Sequence, residues 1–181
     1  MTVPIIIEEY DPSWPRSFEA IRDRIIAALG ESVTAIEHIG STAVPGLAAK
    51  PIIDIDVLLR SSDGLRLVIA ALEGLGYQHQ GTLGIPGRDA FVAPSHDVRH
   101  HLYVCSPDAP EFRRHITFRD YLRRHPMDAA EYGRLKRNLS GRFSIDREAY
   151  TEAKTDFIEG ILRRARLESR EHLFRPRRTN N

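Results

Sequence analysis

The chain has 181 residues, 41% of them hydrophobic, with a single cysteine and a formal charge of +1. That length suits one domain with a helical appendage, and the composition is that of a chain with a true core. No run approaches the roughly 20 apolar residues of a membrane span, and Cys105 alone excludes an internal disulfide or a multi-cysteine zinc site. A cytoplasmic protein that does not contact membranes is expected. The charge is uneven: seven arginines against two glutamates from Arg163 onward make a local +5, leaving a body of −4. A mildly acidic body with a basic end does not read as a nucleic-acid surface.

The opening MTVPIIIEEYDP has no basic region before its short apolar run, so residues 3–10 read as a strand, not as a signal peptide. DPSWP then starts a helix whose Trp14, Phe18, Ile21, Ile25 and Leu29 share one face, stopped by Gly30. Residues 33–39 form a second strand candidate, broken by the turn-rich GSTAVPG; residues 52–59 form the strongest one. Ser61, Ser62 and Asp63 offer caps to a helix presenting Leu65, Val68, Leu72 and Leu75, closed by Gly76. Short strands follow at 77–79, 91–93 and 100–105, with the loop QGTLGIPGRD between the first two. From Pro110 three helical patterns are expected, the second capped by Asp128 and the third, carrying Tyr150, Phe157 and Ile161, by Asp146. An α/β (α+β) reading results: a small mixed-sheet core over 1–108, a helical region over 109–168 packed on it, and a basic, flexible tail over 169–181.

Asp54 and Asp56 interrupt the apolar strand IIDIDVLL. Residues two apart on a strand point the same way, so these carboxylates face together while Ile53, Ile55 and Val57 pack the other side. Like charges held this close are costly unless a cation lies between them, and Mg²⁺ suits oxygen ligands shared with phosphate. A wet outer face on an edge strand is the competing explanation. Thirteen residues before Asp54 stands Ser41, in a Gly40-Ser41-Thr42 turn that lets backbone and hydroxyls approach phosphate oxygens. Only three of 26 basic residues are lysine, Lys50, Lys136 and Lys154; in so arginine-biased a chain they mark places that need a compact ammonium. Tyr150 and Lys154 are i,i+4 neighbours, and Arg88 in GIPGR is a further candidate for an anion.

HIGSTAVPGLAAKPIIDI resembles the signature of the GrpB family, an uncharacterised branch of the nucleotidyltransferase superfamily, and the likeness extends through YDPSW, GIPGR, HHLYV, FRDYLRRHP and DREAYTEAK. The resemblance implies a small mixed sheet of nucleotidyltransferase type. It implies that Gly40 and Ser41 match the superfamily's phosphate-binding turn and that Asp54 and Asp56 match its first two metal ligands, with a catalytic role. Thr42 beside that turn, and Lys50, Arg88, Tyr150 and Lys154 from the reading of the residues themselves, complete the expected nucleotide- and phosphate-binding set. The superfamily's third carboxylate is absent from HHLYVC, where His101 takes the place; a nitrogen there admits Mn²⁺ or Zn²⁺ beside Mg²⁺. The implied activity is metal-dependent nucleotidyl transfer from a nucleoside triphosphate to an unknown acceptor. The alternative is a non-catalytic nucleotide- or phosphometabolite-binding module. A haloacid-dehalogenase strand fits poorly, because Val57-Leu58 follow the aspartates where a Gly-Thr-like loop belongs. Walker A and serine-elbow readings fail on spacing.

Overall fold

The computed structural model describes residues 4–174. Strands β1 (Val33–Ile39), β2 (Ile53–Leu59), β3 (Gln78–His79), β4 (Arg88–Val92) and β5 (His100–Cys105) form one sheet in the order β1-β2-β5-β4-β3. β2 and β5 run parallel; the other neighbours are antiparallel. Helices α1 (Trp14–Leu29) and α2 (Leu65–Gly74) lie within the strand-rich half, and α3 (Pro110–Arg124), α4 (Pro126–Arg142), α5 (Arg147–Glu152) and α6 (Thr155–Phe174) complete the order. No helix among the described residues is long and apolar enough to cross a membrane. The fold is α/β with a mixed sheet.

Alternation on β2 decides the layering. Ile53, Ile55, Val57 and Leu59 are at most 2% exposed and meet Leu102 and Val104 of β5, the five-residue stripe of α1, and Val68 and Leu72 of α2. Each such aliphatic side chain contributes about 1.5–3 kcal/mol on burial, so this core anchors the sheet. The opposite face carries Asp54, Asp56, His101 and Tyr103, and α3 is fastened across it. Arg119 donates to Glu37 Oε2 at 2.6 Å and to the His38 carbonyl at 3.0 Å, and Arg123 Nε donates to the Ala43 carbonyl at 2.9 Å. A second core of Val44, Leu47, Tyr121, Leu122, Tyr132 and Ile161 packs the last helices onto the loop after β1.

Several boundaries differ from the sequence reading. Of the strand expected over 3–10, residues 4–10 do not form a regular strand: they make one antiparallel bridge, Glu8 to Ala49, while Ile5 anchors beside Leu139 and Tyr150. Its apolar run serves as a strap, with Ile6 left 57% exposed. Leu75 is 36% exposed, because α2 ends at Gly74 and the chain turns away. β4 begins at Arg88, so Arg88 and Asp89 belong to a strand, not to the loop. The second C-terminal helix starts at Pro126, whose fixed φ suits a first turn, and Asp128 sits inside that turn. The third pattern is two helices, α5 and α6; Asp146 does cap α5, accepting from the Ala149 amide. α6 continues through Phe174, and the remainder of the expected tail, 175–181, lies outside the described residues.

Candidate functional site

Register places the acids. Asp54 stands opposite His101 of β5 and Ile39 of β1, and Asp56 opposite Tyr103 and Glu37. The two aspartates share a side of the sheet but not an environment. The Asp54 side chain is 30% exposed, with Oδ1 2.9 Å from His101 Nδ1. Asp56 is fully buried; its Oδ2 lies 2.7 Å from Nδ1 of His115 on α3, and its Oδ1 has no hydrogen-bond partner. Burial pushes the Asp56 carboxyl above its ordinary value, and the His115 hydrogen bond opposes that push. His115 Nε2 lies 3.6 Å from Glu111 Oε2.

The turn before β2 is fitted to Asp54. Gly40 has φ +71°, and a Cβ there would collide with Asp54 Oδ2, so only glycine permits this approach. Ser41–Ala43 form a 3₁₀ turn. Thr42 Oγ1 donates to the Ile52 carbonyl at 3.3 Å and accepts from His38 Nε2 at 2.9 Å, which ties the turn to the start of β2. Burial lowers the His38 imidazole to about 4, so it is neutral in this bond.

Two cavities of about 310 Å³ each open on either side of Asp54, sharing Ser41, Asp54, Tyr103, Tyr132 and Lys154 as a common wall. One is a lysine lobe. Lys50 and Lys154 place Nζ 4.4 and 4.2 Å from the Tyr150 ring centre, and Lys136 lies 4.7 Å from that of Tyr132. Lys136 is 3% exposed and its Nζ has no hydrogen-bond partner. Burial lowers the Lys136 ammonium to about 7 and that of Lys154 to about 8, each further depressed by a neighbouring lysine and partly restored by Asp54. Burial lowers Lys50 as well. The other is an arginine lobe, in which Gly40, Arg88, Arg114 and His115 meet Phe118 and Ile158. Cys105 closes β5 on the same side of the sheet, fully buried, its thiol pushed up to about 12 by burial with Asp56 nearby.

Every sequence-predicted site residue lies at or beside this cleft, but in distinct places. Ser41, Thr42, Lys50, Asp54, His101, Tyr150 and Lys154 border the lysine lobe; Gly40 and Arg88 border the arginine lobe; Asp56 lies beneath His115. Thr42 has its hydroxyl committed within the protein, and Tyr150 is a wall, 1% exposed. Tyr132, His115 and Arg114 went unrecognised, since nothing local distinguishes them from other helix residues. Lys136 was visible only through the scarcity of lysine. Among the described residues no group of three or more His, Cys, Asp or Glu side chains is placed to hold a metal alone. Two carboxylates, one with an orphaned buried oxygen, do fit an ion that takes its remaining ligands from phosphate and water.

The five-stranded mixed sheet with its helices has a fold of nucleotidyltransferase type. A Cid1 poly(U) polymerase variant bound to MgATP shares it at TM-score 0.52 and 14% identity, over 72% of this chain and 42% of that one. The chain belongs to the GrpB family, whose model, GrpB protein, matches residues 4–164. A UPF0157 protein of Pseudomonas aeruginosa is 40% identical over 171 residues, 91% of this chain and 69% of that protein. The crystal structure of the conserved protein GrpB from Enterococcus faecalis matches at TM-score 0.82 and 35% identity, covering 91% of this chain and 99% of that one.

Proposed function

We propose that this chain binds a nucleoside triphosphate with a divalent cation and transfers its nucleotidyl group to an acceptor. One observation carries the reading: all three lysines of the chain converge on one lobe bounded by Ser41 and Asp54. A buried ammonium without a partner is costly, and an anion in the lobe offsets that cost. Lys50, Lys136 and Lys154 then receive the β- and γ-phosphates, with Ser41 at their edge. Asp54 and Asp56 hold Mg²⁺, which supplies charge neutralisation at the phosphates; Mn²⁺ or Zn²⁺ would gain from the His101 nitrogen. In the transfer, an acceptor oxygen bonds the α-phosphorus, the bond to the β-phosphate breaks, and the acceptor proton goes to water. Pyrophosphate leaves among the lysines, whose charge stabilises it. A phosphorylated small molecule rather than nucleic acid is the partner in this reading, and the cytoplasm its setting.

The burial of Asp56 under His115, with an imidazole where a third acid would stand, favours a second reading in which the pocket binds nucleotide without turnover. Incubation with labelled nucleoside triphosphates and Mg²⁺ separates the two. Pyrophosphate release that the Asp54→Asn variant lacks supports transfer; saturable binding without release leaves the sensor.

A further inference from the structure

The arginine lobe has a role that nucleotide binding leaves open. Resting on the transfer reading above, we propose that it is the acceptor subsite, and that the acceptor is a small molecule carrying a carboxylate or phosphate beside its reactive hydroxyl. Position is the first argument. β2 and β5 are parallel, with His101 opposite Asp54 and Cys105 opposite Leu58 further along, and Arg88 pairs with Cys105. The lysine lobe, lined by Lys50 and Ile52, therefore lies toward the start of β2, and the arginine lobe lies past Asp54. Displacement at the α-phosphorus sets the attacking and leaving atoms roughly in line. With pyrophosphate among the lysines, the attacking group comes from the arginine side.

Charge is the second argument. The Arg88 guanidinium carbon lies 4.3 Å from the Tyr103 ring centre, its Nε is buried without a hydrogen-bond partner, and no ion pair with it is formed among the described residues. Arg114 is already paired, donating to Glu159 Oε1 at 2.6 Å. Arg88 is thus the cation with capacity to spare, and its planar fork matches an oxyacid. Size is the third. At about 310 Å³ the lobe is at the lower end of the range of small-molecule sites.

The test uses the full chain saturated with tripolyphosphate, titrated calorimetrically with glycerol 3-phosphate, with glycerate, and with glycerol as an uncharged control. One or both anions should saturate a further site that glycerol does not fill. Arg88→Gln should weaken that binding at least tenfold and leave tripolyphosphate affinity unchanged, while Arg88→Lys restores part of the loss. Absence of a further saturable site for either anion overturns the proposal. So does an Arg88→Gln variant that loses tripolyphosphate to the same degree, since the lobes would then be one site. Pyrophosphate release on an oligonucleotide 3′-hydroxyl, with both small acids inert, overturns it too. Failure of tripolyphosphate to bind the unaltered chain removes the triphosphate reading instead, and Arg88-dependent binding of glycerol 3-phosphate would survive that result.

Discussion

The two walls of the cleft are built by different rules. The sheet wall supplies acids, Asp54 and Asp56, at positions dictated by strand alternation and held by alternate β2 residues, Ile53, Ile55, Val57 and Leu59, only 0–2% exposed. The helical wall supplies cations, Lys136 from α4 and Lys154 beside α6, which no local pattern aims at the sheet. Alternation places a charge to within one residue, whereas a helix can present any of its faces, so packing alone decides which lysine enters the cleft. The acid wall is rigid and specified locally; the basic wall is specified only once the helices dock.

The largest effect should come from stripping the acid wall. Asp54→Asn with Asp56→Asn should lower metal-dependent nucleotide affinity by about 100-fold, the upper range seen when support for a metal site is lost. Unliganded stability should hold or rise, because a buried carboxylate is removed. The sign follows from the raised Asp56 carboxyl: its penalty is complete above its folded pKa and vanishes as pH falls below the ordinary 3.8. Melting curves of both proteins against pH check this, and an unchanged nucleotide affinity would sink the metal role.

On the basic wall, Lys136→Met should weaken tripolyphosphate binding about tenfold, the loss of one charge-assisted contact. The same change should stabilise the free protein by up to about 5 kcal/mol, given a pKa lowered from 10.5 to about 7. A lysine depressed in the folded state carries its full penalty below about 7 and none above 10.5, so the gain should shrink across that interval. Unaltered tripolyphosphate binding stiffens with acid for the same reason: affinity should fall as pH rises through about 7–8, where Lys136 and Lys154 discharge.

The seam between turn and strand is the third target. Gly40→Ala forces a side chain into φ +71° and against Asp54, and should cost at least about 1–2 kcal/mol with displacement of Asp54. A melting temperature equal to wild type would show that the turn yields freely. The smallest change is expected from His101→Asp, which adds an oxygen ligand beside Asp54 and should tighten Mg²⁺ binding several-fold by calorimetry. Unchanged Mg²⁺ affinity would place His101 outside the ion's reach.

These contrasts explain what could be read from the chain alone. β2, the α1 stripe and the Gly40-Ser41 turn depend on neighbours close in sequence, and each lies where its spacing indicated. The His115–Asp56 contact spans 59 positions, and nothing about Glu111 or His115 announces it locally. The opening segment misled because an apolar run suits a strap as well as a strand; its pairing is settled by Ala49, not by its own residues. The split between α5 and α6 follows a turn at Ala153 that the continuous spacing of Tyr150, Phe157 and Ile161 conceals.

The single cysteine of the chain, at the end of β5, gives the molecule a clock. Fully buried, Cys105 can meet an aromatic disulfide reagent only while its surroundings open. Its labelling rate therefore reports how often that part of the fold opens, without any engineered probe. A ligand that bridges acids and lysines should slow the count in proportion to how firmly it joins the two walls, so occupancy can be timed before the natural ligand has a name.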